Sequence, residues 1–196
     1  MPEARRYRGA MRRVVGAAAV VLGMLVLSGC GTGDPIPTLP PTPSTTPVFA
    51  SEEEALAAAE DAYAAYLEIW SEIAAEGGVA PDRLAPYATG EFYDEELEGL
   101  ALFRDNGWRS VGTSQVKAIE LQYVDLSGSA STEVLAAYLC IDVSGVDVLD
   151  ASGTSVVSPD RPDLQAFEVF FDLLDGGTLL PSSRDTWDSE SVCGGS

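Results

Sequence analysis

The chain holds 31 Asp and Glu, seven Tyr and three Cys but no His, and that inventory bounds the chemistry open to it. Without histidine there is no Ser-His-Asp or Cys-His nucleophile, no His-ligated zinc and no imidazole base. No glycine-rich phosphate loop, no GxSxG turn and no C-x-x-C pair occurs either. Carboxylate chemistry passes the test. Asp142 alternates with Val134, Ala136, Tyr138 and Cys140, so a carboxylate and a phenol would share one face of a strand. The opposite set, Leu135, Ala137, Leu139, Ile141 and Val143, is more continuously apolar and is expected to be the core. That turns Asp142 away from the interior, and no catalytic residue is assigned. Asp142, Asp147 and Asp150 offer oxygens to a hard cation, but they match no calcium-loop spacing and fall among turns, where Asp caps the backbone. No metal and no cofactor is expected. Asp94, Glu95, Glu96 and Glu98 are expected to form a solvated helix face.

The cysteines carry a different chemistry. Arg5, Arg6, Arg8, Arg12 and Arg13 precede an uncharged stretch from Val14 to Leu27, which is long enough for a signal h-region and too short to span a bilayer. The stretch closes on Leu27-Ser28-Gly29-Cys30, which resembles the lipobox of bacterial lipoproteins. The resemblance implies that residues 1–29 are a signal peptide, that the Cys30 thiol receives a diacylglyceryl group, and that Cys30 becomes the mature N-terminus. The partner it implies is therefore the membrane, reached through that diacylglyceryl group, with the protein on the extracytoplasmic face. Two acyl chains hold a protein stably where one does not. With Cys30 lipidated, Cys140 and Cys193 form an even pair in an oxidising compartment, which predicts a disulfide. Closing a loop of about 50 residues stabilises a fold by about 4 kcal/mol in the chain-entropy account.

Five of the eleven basic residues and one of the 31 acids leave with the signal, so six basic and thirty acidic side chains remain, a net of −24. Such a surface repels nucleic acid and anionic headgroups, and no nucleic-acid partner is expected. Arg outnumbers Lys ten to one and Asn106 is the only asparagine, a bias that suits a GC-rich genome. Residues 30–50 form a lipidated cysteine and a Pro/Thr-rich tether in which Pro35, Pro37, Pro40, Pro41, Pro43 and Pro47 favour extended polyproline II. At about 3 Å per residue it spans some 50–60 Å.

Residues 51–196 are expected to be one domain. Ser51-Glu52-Glu53-Glu54 reads as a capping box that starts a helix. Leu56, Ala59, Tyr63, Tyr66/Leu67, Trp70 and Ile73/Ala74 then draw one apolar stripe, stopped by Gly77-Gly78. A short turn of helix follows near Asp82–Leu84, and a second helix runs from Glu91 to about Asp105. From Trp108 onward the pattern becomes strands: 116–126, 134–143, 146–149, 156–157, 164–174 and 178–187, separated by Ser-Gly, Ala-Ser-Gly, Pro-Asp and Gly-Gly turns. Helices first and consecutive strands afterwards mean α+β with an antiparallel sheet, not a dinucleotide-binding βαβ fold.

This order resembles the nuclear-transport-factor-2-like superfamily, the cystatin-like α+β cone, and more narrowly the small actinobacterial lipoproteins that carry such a domain behind a proline-rich tether. It implies a long N-terminal helix packed on a strongly bent, cone-like sheet. Tyr63, Tyr66 and Trp70 on that helix would then face Phe167, Val169 and Phe171 on the inward strand face and line a pocket. A two-layer sandwich of other topology is the alternative fold. The expected function is a non-catalytic binding or interaction module at the cell surface, holding a small molecule or a protein. The alternatives are an enzyme using carboxylate and tyrosine within the cone, as ketosteroid isomerase does, and a structural envelope protein. The anchor has a direct test. Cys30→Ser should abolish incorporation of labelled palmitate and either release the chain to the medium or block its processing. Lipid-free wild type together with a mutant that stays membrane-bound would contradict the lipobox.

Overall fold

The computed structural model describes residues 47–128, 132–188 and 192–194. The signal segment, Cys30 and the tether up to residue 46 lie outside the described residues. Ser51 caps helix α1 (Glu52–Ala75), its Oγ accepting from the Glu54 amide at 3.3 Å. Glu54 reaches back past the cap to accept from the Ala50 amide at 2.8 Å, so one free helix donor and the amide just before the cap are satisfied locally. Three acids in the first turn suit the positive end of the helix dipole. The buried face of α1 carries Ala55, Ala59, Tyr63, Tyr66, Ile73 and Ala74. A 3-10 turn at Pro81–Leu84 leads to helix α2 (Gly90–Asn106), which buries Phe92, Glu96, Leu100 and Phe103.

Six strands follow among the described residues: β1 (Arg109–Val111), β2 (Gln115–Val124), β3 (Glu133–Asp142), β4 (Asp147–Leu149), β5 (Leu164–Leu174) and β6 (Thr178–Thr186). The main sheet has the order β2-β3-β5-β6, antiparallel throughout, while β1 and β4 pair as a separate antiparallel ribbon. The chain is thus α+β with two helices on antiparallel sheets. Two details differ from the sequence expectation. Residues 156–157 form no strand; they follow a single bridge between Leu149 and Ser155, and Val156 is exposed. The short strand β1 was not expected, because three residues give too little alternation to read.

The core face of the sheet is the one the alternation indicated. Leu135, Ala137, Leu139, Ile141, Val169 and Phe171 are buried there with Tyr63, Tyr66 and Phe92 from the helices. Burying each large side chain of this kind contributes about 1.5–3 kcal/mol. Register shifts interrupt the β2–β3, β3–β5 and β5–β6 ladders. Each places an extra residue on one strand, which increases local twist and bends the sheet. The shift in β6 matters most. Leu179 pairs with Leu173 and Pro181 with Phe171, both facing inward, but Ser183 pairs with Phe170 and Arg184 with Val169. The extra residue, Ser182, reverses the alternation and turns Arg184 into the core side.

The same bulge seats α2. The Thr89 amide donates to the Pro181 carbonyl at 3.0 Å, and Gly90 adopts φ 58° with its Cα against the bulge. A Cβ at Gly90 would lie 2.9 Å from the Ser182 carbonyl oxygen, so only glycine fits both the left-handed backbone and the close approach.

The outer face of the sheet is covered near its centre by the C-terminal tail. Tyr138 stacks on Trp187 with ring centroids 4.5 Å apart, and Val192 is buried against Cys140 and Ala166. The sulfurs of Cys140 and Cys193 lie 2.09 Å apart, at disulfide distance, with Cα atoms 5.2 Å apart. A bond between them ties the C-terminal tail to β3 within the sheet. Cys140→Ala should therefore cost about 2–5 kcal/mol in urea unfolding. The wild type should be about 2 Da lighter than the reduced chain in mass spectrometry. Two freely alkylated thiols in protein recovered from the envelope would contradict the pairing.

Candidate functional site

Antiparallel pairing brings four strand ends to one edge of the main sheet: the start of β2, the end of β3, the start of β5 and the end of β6. There, against α1 and α2, lies a cleft of about 200 Å³. Tyr63, Tyr66, Leu67 and Trp70 from α1 form one wall. Ser114, Ile141, Val143, Gln165, Phe167 and Arg184 form the sheet side, and Glu96 enters from α2. The three aromatic residues singled out in the sequence therefore stand together on the wall. Tyr63 and Tyr66 are buried, whereas Trp70 is only half-buried, with its ring edge-on to Phe103 at 5.6 Å. Phe167 lines the cleft while Val169 and Phe171 continue inward as core.

Glu96 corrects the sequence reading. Asp94, Glu95 and Glu98 are exposed as expected, but Glu96 is only 7% exposed and does not belong to the solvated face. Its carboxylate accepts from Arg184 Nη2 at 2.8 Å. Arg184 Nη1 approaches the Tyr63 hydroxyl at 3.4 Å, and the guanidinium lies over the rings of Phe92 and Phe167 at 4.9 and 4.7 Å from their centroids. Among the described residues these two are the only charged ones on the cleft wall, and they neutralise each other. The signal for Glu96 was present in the sequence: Phe92, Glu96, Leu100 and Phe103 recur at helical spacing, which places the carboxylate in an apolar stripe. Arg184 carried no such signal, because the bulge at Ser182 inverts the alternation of β6.

The electrostatics decide what the cleft can do. Burial pushes the Tyr63 phenol above its ordinary pKa, an effect the nearby Arg184 reduces without reversing. Tyr66 is pushed well above, first by burial and then by the Glu96 carboxylate and Tyr63. Both phenols stay neutral at physiological pH and can donate hydrogen bonds but cannot serve as bases. Because burial disfavours the phenolate in the folded state, the fold keeps its full stability below pH about 10, where the phenol is neutral folded or unfolded, and loses stability as the pH climbs beyond. Burial alone would depress Arg184, but Tyr63, Tyr66 and Glu96 outweigh it and keep the guanidinium firmly protonated. The Trp70 indole N–H is buried and has no hydrogen-bond partner among the described residues. An unpaired buried donor of this kind costs about 1–3 kcal/mol.

The other sequence candidates lie elsewhere. Asp142 faces away from the cleft and accepts from the Ser144 amide at 2.9 Å and its hydroxyl at 2.6 Å, which together hold its pKa below the usual carboxylate value. Tyr138, on the same outer face, accepts from Gln122 Nε2 at 2.7 Å. Asp147 accepts from the Val148 amide and the Ser155 hydroxyl, and Asp150 from Ser152 and Thr154, so each serves a turn. Among the described residues no helix is long and apolar enough to cross a membrane.

No protein family matches the chain, and no curated protein matches it either. Fold and site together define an α+β domain with a small, aromatic-walled cleft built around one internal ion pair.

Proposed function

We propose that this protein is a lipid-anchored extracytoplasmic lipoprotein whose α+β domain is a non-catalytic binding module that holds a small molecule in the cleft between α1, α2 and the sheet. The lipobox-like Leu27-Ser28-Gly29-Cys30 supports the address, and the order of one capped helix followed by a bent antiparallel sheet supports a place among the nuclear-transport-factor-2-like cones. The observation that carries the binding role is the cleft itself. Its aromatic and aliphatic walls offer apolar area, and a few polar groups, Ser114, Gln165, Arg184 and Tyr63, converge on it, as in small-ligand sites.

The competing reading, catalysis by carboxylate and tyrosine, has one observation in its favour: a buried carboxylate, Glu96, beside Tyr66. The same geometry weighs against it. The carboxylate that would act as base is already bonded to Arg184, which stabilises its charged form and lowers its basicity. Binding needs none of these groups to change protonation.

Differential scanning fluorimetry of the full chain against a small-molecule library tests the reading. A ligand at one hundred times its Kd stabilises the fold by about 2.7 kcal/mol, enough to shift the melting temperature by several degrees. Trp70→Ala should abolish that shift. The half-exposed Trp70 makes this variant's own loss of stability smaller than the 3–5 kcal/mol of a fully buried aromatic. A library without a stabilising compound, or one whose hits stabilise Trp70→Ala equally, would refute the cleft as a binding site.

A further inference from the structure

We infer that the cleft selects an uncharged ligand, one with a compact apolar body and a carbonyl or amide oxygen, and that the Glu96–Arg184 pair enforces the choice. The inference rests on the binding role proposed above and names the ligand class. Three observations converge on it. The first is the charge of the walls: among the described residues Glu96 and Arg184 are the only ones there that carry charge, and they face each other at 2.8 Å. A carboxylate or phosphate ligand would have to share Arg184 with Glu96 and meet Glu96 as a like charge. An ammonium ligand would meet Arg184 in the same way. Neither ligand charge finds an uncommitted partner, and a desolvated charge without a partner is costly.

The second observation is the surplus of donors. A guanidinium has five N–H groups, more than its bonds to Glu96 and Tyr63 consume. Gln165 adds an amide and Ser114 a hydroxyl on the same wall. A neutral oxygen can accept from these without disturbing the ion pair. The third is the shape of the wall. Leu67, Trp70, Ile141, Val143 and Phe167 surround a space of about 200 Å³, below the usual range for drug-sized ligands. It suits a single ring or a short branched chain. The strongly acidic surface adds to the discrimination by repelling anions on approach.

A matched set of probes separates the alternatives: cyclohexanecarboxamide, cyclohexanecarboxylate and cyclohexylmethylamine share one ring and differ in charge. Their Kd values are measured on the detergent-solubilised full chain by isothermal titration calorimetry. The amide should bind at least tenfold more tightly than either charged probe. In Glu96→Gln the carboxylate should gain at least tenfold on the amide, because Arg184 is freed to pair with it. Arg184→Met, which keeps an apolar stem over Phe167 but leaves Glu96 without its counter-charge, should weaken the amide and exclude the carboxylate still more strongly. If the carboxylate or ammonium probe binds the wild type as tightly as the amide, the neutral-ligand inference falls while the binding role stands. If none of the three binds, both fall. The wild-type comparison decides the matter even if the Glu96 variant does not fold.

Discussion

A buried carboxylate meets a guanidinium that lies against two aromatic rings in this domain, and the geometry around the cleft follows from the need to keep the two together. Taking either charge out of water costs several kcal/mol, and only a well-aligned partner and further hydrogen bonds offset it. Glu96 and Arg184 come from α2 and β6, so their pairing joins the second helix to the edge of the sheet. Phe92 and Phe167 flank the guanidinium, and the Tyr63 hydroxyl adds a contact from α1. One cation on β6 thus touches both helices and the neighbouring strand β5. The same pair leaves the charges on the cleft wall balanced.

That pairing depends on a backbone irregularity. Without the extra residue at Ser182, β6 would turn Arg184 to the outer face and present Ser183 toward Val169. The bulge also creates the surface on which Gly90 lands, and Gly90 sets where α2 begins. From there, Glu96 lies on the helix face that already contains Phe92, Leu100 and Phe103. A bulge, a left-handed glycine and a helical stripe together bring two charges from distant parts of the chain to bonding distance.

Much of this was legible in the residues. The capping box at Ser51, the stripe through Tyr63, Tyr66 and Ile73, the alternation of Phe167, Val169 and Phe171, and the Gly-Gly stops place α1 and β5 nearly to the residue. They do so because each is a local pattern with a single physical cause. The apolar run from Leu135 to Val143 also picked the core face of β3 correctly and kept Asp142 off it. What escaped was of two kinds. Glu96 stood among Asp94, Glu95 and Glu98, and composition overruled helical periodicity, although the spacing to Phe92 and Leu100 marked its side of the helix. Arg184 was beyond reach, since a one-residue bulge leaves no mark in the sequence and reverses every later side chain in the strand.

The central claim is that Glu96 and Arg184 act as one unit at the heart of the cleft, and a double-mutant cycle tests it most directly. Urea unfolding of the wild type, Glu96→Gln, Arg184→Met and the double variant isolates the interaction between the two side chains. The account predicts a coupling of about 1.5–3 kcal/mol, with the double variant more stable than the sum of the single losses implies. A coupling within about 0.3–0.5 kcal/mol of zero, as for independent sites, would contradict it.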